Sequence, residues 1–126
     1  MATVVNQNRD ILQHFFDALN SGDVERVKAV FKEYYSPNYR LHFPNSRKPE
    51  TTFEEFFGFI DHEIGKMVNV KWETQDFLQD GDKTATRGTF EWTNPETNEF
   101  HKEMTIFITR FEDGKIVEEW QLSALI

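Results

Sequence analysis

The chain has 126 residues, enough for one domain with a real core and too few for two. Its formal net charge of −8 repels phosphate backbones, so no nucleic-acid partner is expected. The absence of cysteine removes disulfides, thiolate metal sites and a cysteine nucleophile, and no basic leader or long apolar run points to export or a membrane, so a cytoplasmic protein is expected.

The elements follow from the spacing of apolar residues. Ile11, Leu12, Phe15, Phe16 and Leu19 recur at helical offsets, which predicts a first helix over roughly residues 8–20. Gly22 then suits a left-handed cap, and Asp23 caps a second helix carrying Val24, Val27, Val30, Phe31 and Tyr34. Pro37 stops that helix. A short strand, "YRLHF", and a loop, "PNSRKPET", come next. Thr52 and Glu55 have capping-box spacing before a third helix with Phe53, Phe56, Phe57, Ile60 and Ile64 on one stripe.

After Val68 the period changes to alternation. Strands are predicted over Val68–Gln79, Lys83–Thr93, Glu99–Phe111 and Lys115–Leu125, with turns at Asp80-Gly81-Asp82, Asn94–Asn98 and Asp113-Gly114. Helices first and long antiparallel strands last predict an α+β fold, with three N-terminal helices packed on one face of a curved, mostly antiparallel sheet. Gly88 is a candidate kink, and a bent sheet under helices encloses space. The 13 phenylalanines, three Trp and three Tyr suit a core, a cavity wall or both.

The order of elements, with "ALNSGDVERVKAVF" (Ala18–Phe31), "LHFPN" (Leu41–Asn45) and "RFEDGKIVEEWQL" (Arg110–Leu122), resembles the nuclear transport factor 2-like superfamily. Within it the chain is most similar to the SnoaL-like, polyketide-cyclase-like branch. The resemblance covers nearly the whole chain as one domain, 1–126, and implies a cystatin-like, ketosteroid-isomerase-like roll: a cone with an internal pocket for a small hydrophobic ligand. It also implies a homodimer through the outer sheet face. Because the superfamily holds both enzymes and binding modules, the fold leaves the activity open.

The resemblance also says which groups a catalytic member would carry. The ketosteroid-isomerase-like donor and its two acids fall here on Phe15, Phe43 and Phe107, none of which moves a proton. These rings either narrow the pocket or fill it. The polyketide-cyclase-like His and Asp flanking a Trp fall on Glu119 and Gln121 around Trp120. Alternation puts Glu119 and Gln121 on one face and Trp120 on the other. Gln121 orients but does not titrate; Glu119 is either a substitute acid one pleat away or a strand-end acid paired to Lys or Arg.

Other polar candidates are weaker. Asp76 is inward by phase from Val68, Val70 and Trp72, unless a bulge before Phe77 turns it to solvent. His101, Glu103 and Thr105 share a face with Phe107, which gives Glu103 a place at the pocket mouth or in solvent. His42 in "LHFP" is a candidate whose default role is a structural hydrogen bond. Trp72, Phe90 and Trp92 suit stacking on an aromatic ligand as well as core packing. "DHE" at Asp61–Glu63 lacks a second His one turn on, and neither His14 nor His101 has a companion at ligand spacing, so no metal or other cofactor is expected.

With both proton-transfer patterns replaced, the expected role is binding of an apolar or polycyclic small molecule. The ligand-facing set is Phe15, Phe43, Trp72, Phe90, Trp92, Phe107, Glu119 and Gln121. The alternative is a cyclase-, isomerase- or dehydratase-type enzyme that uses a relocated carboxylate, Glu119, Asp76 or Glu103. A second alternative is a protein-interaction or dimerisation module without chemistry. A buried carboxyl with a raised pKa separates the enzyme from the other two.

Overall fold

A computed structural model describes residues 2–44 and 47–126, with side chains from residue 7 onward. Asn45 and Ser46, within the segment predicted as a loop, lie outside the described residues. Helices α1 (Ala2–Ser21) and α2 (Val24–Tyr34) precede strands β1 (Tyr35–His42) and β2 (Glu50–Thr52). Helix α3 (Phe53–His62) and a single 3-10 turn (Ile64–Lys66) lead into β3 (Val68–Asp80), β4 (Lys83–Thr93), β5 (Phe100–Glu112) and β6 (Lys115–Leu125).

Local chemistry sets these boundaries. Gly22 at φ 73° ends α1, where its N–H reaches the Leu19 carbonyl at 3.2 Å. Asp23 then accepts from the Glu25 and Arg26 amides at the start of α2. Thr52 and Glu55 form the reciprocal capping box of α3. Asp113 and Gly114, both with positive φ, make the tight turn of the last hairpin. The predicted loop before α3 ends in a strand: β2 pairs antiparallel with β1, matching Arg40 with Thr52 and His42 with Glu50. Three residues are too few for alternation to be visible in sequence.

The sheet has the order β2-β1-β6-β5-β4-β3. All neighbours are antiparallel except β1 and β6, which run parallel. The core lies between the inner face and the helices, where Phe31 is fully buried against Tyr35 and Phe53, with ring centres 4.4 and 4.7 Å away.

Strand β3 is an edge, and Asn20 at the end of α1 completes it. Its side-chain amide accepts from the Trp72 backbone N–H at 2.6 Å and donates to the Trp72 carbonyl at 3.1 Å, as a neighbouring strand would. The β3–β4 register shifts between Val68 and Lys71 and again between Thr74 and Asp76. The first shift leaves Val68 exposed, against the inward phase expected of it. Gly88 is buried on β4 where a Cβ would overlap the Trp72 ring and the Glu73 carbonyl oxygen. Its absent side chain is what lets Trp72 lie flat on the sheet.

Candidate functional site

A cavity of about 590 Å³ opens between the inner sheet face, α1 and α3. It lies within the usual size range of small-molecule sites. From α1 come Phe15, Phe16 and Leu19, placed there by the same helical stripe that builds the core. Phe16 stacks on Trp72 with ring centres 4.6 Å apart, and Phe107 closes the group at 5.4 Å from Trp72. Phe15, Phe43 and Phe107 all line this space and leave it open. Lys48, Glu55, Phe59 and Glu63 are the exposed members of the lining and mark its mouth. Lys48 and Glu55 form an ion pair there.

All eight residues expected to face a ligand are in the wall: Phe15, Phe43, Trp72, Phe90, Trp92, Phe107, Glu119 and Gln121. Glu103 and Thr105 join them, as extending the β5 alternation from Phe107 suggests. Asp76 does not. The register shift before it turns its side chain outward, where it accepts from Arg87 at 2.7 Å. His42 also lies apart from the lining. It bonds Glu118 at 2.7 Å and stacks on Trp120 with ring centres 5.4 Å apart.

The adjacent acids Glu118 and Glu119 have opposite surroundings because the strand sends them to opposite faces. Desolvation pushes the Glu118 carboxyl up, but hydrogen bonds from His42 and Arg110 outweigh it and leave the group below its ordinary range. Glu119 is buried in the cavity wall and, among the described residues, has no cationic partner. Its pairing with a Lys or Arg, one of the two sequence-based expectations, is therefore not what forms. Instead Tyr39 donates to Oε1 at 2.8 Å and Thr109 donates to Oε2 at 2.6 Å. Burial raises the Glu119 pKa, and these two hydroxyls offset only part of the shift.

Both hydroxyl partners escaped the sequence reading, although a pattern for each was there. Tyr35, Tyr39 and Leu41 are the buried positions of β1, and Thr109 follows Phe107 at the inward period of β5. Burial and the nearby Glu119 charge push the Tyr35 and Tyr39 phenols well up, so both hydroxyls remain proton donors. Each Glu119 oxygen accepts one hydroxyl hydrogen and retains a second lone pair. Gln121, two residues along, donates to the Ser123 hydroxyl at 3.2 Å. Of the carboxyls in the lining, Glu119 is the one that is fully buried, and it shares with the Gln121 amide a wall that is mostly aromatic and aliphatic. Among the described residues, no three His, Asp or Glu side chains gather to hold a metal ion. No helix among them is long and apolar enough to cross a membrane.

A SnoaL-like domain family model matches residues 12–119, from the buried stripe of α1 through Glu119. The chain belongs to the SnoaL-like domain family. Among solved structures, this SnoaL-like chain is similar to IdmH from Streptomyces antibioticus, a candidate polyketide cyclase, at 26% identity and a TM-score of 0.72, covering 91% of this chain and 90% of that one. A candidate SnoaL-like polyketide cyclase from Jannaschia sp. CCS1 shares the fold at a TM-score of 0.78 and 14% identity, with 94% and 85% covered. TsrD from Streptomyces laurentii does so at a TM-score of 0.75 and 22% identity, with 94% and 88% covered. No curated protein sequence matches the SnoaL-like chain.

Proposed function

We propose that the chain binds a small, largely apolar molecule in its cavity and that Glu119 exchanges a proton with it, as a cyclase- or isomerase-type enzyme would. The observation that carries this reading is the buried, cation-free Glu119 carboxyl in an aromatic wall. A carboxylate with a raised pKa is a stronger base than a hydrated one, and an apolar surround strengthens its interaction with a polarised C–H bond. In such a step Glu119 takes a proton from the carbon beside a carbonyl, giving a protonated carboxyl and an enolate. In this reading the second N–H of the Gln121 amide, two residues along the same face, donates to the enolate oxygen. The likeness to IdmH, a candidate polyketide cyclase, supports the same class of chemistry.

A homodimer in the cytoplasm completes the reading. Ile106 and Ile108 on β5 lie directly across from Leu122 and Trp120 on β6, and all four are exposed on the outer sheet face. A contiguous apolar block of this kind is costly to leave in water, which favours cover by a second copy.

The test uses 2-tetralone, a bicyclic ketone that fits the cavity, in heavy water. The protein accelerates deuterium entry beside the carbonyl, and Glu119→Gln abolishes the acceleration while 2-tetralone still binds. Acceleration that survives Glu119→Gln would assign the chemistry elsewhere.

A further inference from the structure

We propose that the cavity's ligand carries a protonated amine, recognised by Glu103 together with the Phe90 and Trp92 rings. The inference rests on the binding reading above and adds the ligand's charge class. Among the described residues, the cavity wall contains four carboxyl side chains, Glu55, Glu63, Glu103 and Glu119, against one cation, Lys48, and no Arg or His. Three of the four acids are accounted for. Glu55 is ion-paired with Lys48 and also bonds the Thr52 amide. Glu63 is exposed to water at the mouth. Glu119 accepts the Tyr39 and Thr109 hydroxyls.

Glu103 is different. It is half-buried in the sheet wall, and its side chain has no hydrogen bond or ion pair among the described residues. The cations near its part of the sheet have other partners: Lys102 faces Glu91 at 3.5 Å, and His101 lies 3.6 Å from Glu99. A partly desolvated carboxylate without a counter-charge is unfavourable, and a cationic ligand removes that cost.

The surroundings suit the same cation. Phe90 is the residue directly across from Glu103 on β4, and Trp92 lies two residues further on the same face. Trp92 is braced from outside the lining by His101, stacked with ring centres 4.3 Å apart. Aromatic faces attract ammonium groups and repel anions, so rings beside an unpaired carboxylate select one sign of charge. The strand also fixes the ligand's direction. Glu103 and Thr109, the hydroxyl partner of Glu119, are six residues apart on β5, roughly 20 Å of strand. An amine held at Glu103 therefore leaves its apolar body pointing along the cavity toward Glu119.

The test compares three probes of one shape by isothermal titration calorimetry at physiological ionic strength: 1-naphthylmethylamine, 1-naphthalenemethanol and 1-naphthoate. The amine is expected to bind about 10-fold more tightly than the alcohol, with the naphthoate weakest. Glu103→Gln removes the amine's advantage and leaves the alcohol unchanged. Glu96→Gln, an equal charge change on the exposed β4–β5 turn, leaves the advantage intact. Equal binding of amine and alcohol, or an advantage that survives Glu103→Gln, overturns the amine proposal while the cavity reading stands on the alcohol. Binding by none of the three overturns both.

Discussion

The Tyr39 hydroxyl donates to the Glu119 carboxyl across 2.8 Å, joining β1 to β6 inside the sheet wall. Both residues are buried, so the bond is shielded from bulk water. At pH values above the raised Glu119 pKa, Tyr39→Phe removes a hydrogen bond to a charged group and is expected to cost about 1.5–3 kcal/mol. The loss shrinks in acid, where Glu119 is protonated and the missing bond is a weaker neutral one. Urea unfolding at several pH values measures it. A loss independent of pH would mean that Tyr39 acts only through packing.

Glu119 makes a second, separable prediction about pH. Its folded pKa is raised above the ordinary value of 4.5, so the native state keeps the proton after the unfolded chain has released it. Stability therefore falls as pH rises from that ordinary value through the raised one, then levels off. Glu119→Gln removes the titration, and its amide can accept from Tyr39 and donate to a turned Thr109 hydroxyl. The variant should match the wild type in acid and gain on it toward neutrality, by about 1.4 kcal/mol for each unit of upward shift. Thermal unfolding across the pH range reads the sign directly.

Gly88 tests the packing that shapes the cavity floor. Gly88→Ala puts a methyl into the Trp72 ring and the Glu73 carbonyl oxygen, and is expected to destabilise by about 1–3 kcal/mol. Adding Trp72→Phe recovers part of the loss, because only the ring clash is relieved. Full additivity of the two changes in urea unfolding would deny the contact.

The sequence shows the fold through long repeats of a single period. Four alternating strands and three helical stripes fix which residues face inward, and Asp23, Thr52 and Asp113-Gly114 mark the boundaries. The wall of the cavity follows from the same two periods, with Phe15 placed by the helical stripe and Phe107, Glu119 and Gln121 by strand alternation. What a period does not carry is register across strands. That Tyr39 meets Glu119, 80 residues away, depends on the parallel pairing of β1 with β6, which no local pattern encodes. The first β3 register shift likewise resets the phase at Val68 without a mark in the sequence, whereas the second, before Asp76, is signalled by Phe77 breaking the alternation.

The outer face carries the assembly prediction. Ile108 pairs with Trp120 and Ile106 with Leu122, four exposed apolar side chains in one block. Sedimentation is expected to show a dimer, and Ile108→Glu with Leu122→Glu is expected to give a folded monomer. A wild-type monomer at high concentration would leave this face without the proposed role.

The most direct measurement is a carboxyl carbon-13 NMR titration of glutamate-labelled protein, with Glu119→Gln to assign the resonance. The resonance missing from the variant should titrate with a midpoint above 4.5 and shift when 1-naphthalenemethanol is added. If that resonance titrates like a hydrated side chain and ignores the probe, Glu119 is neither buried nor in a ligand's reach.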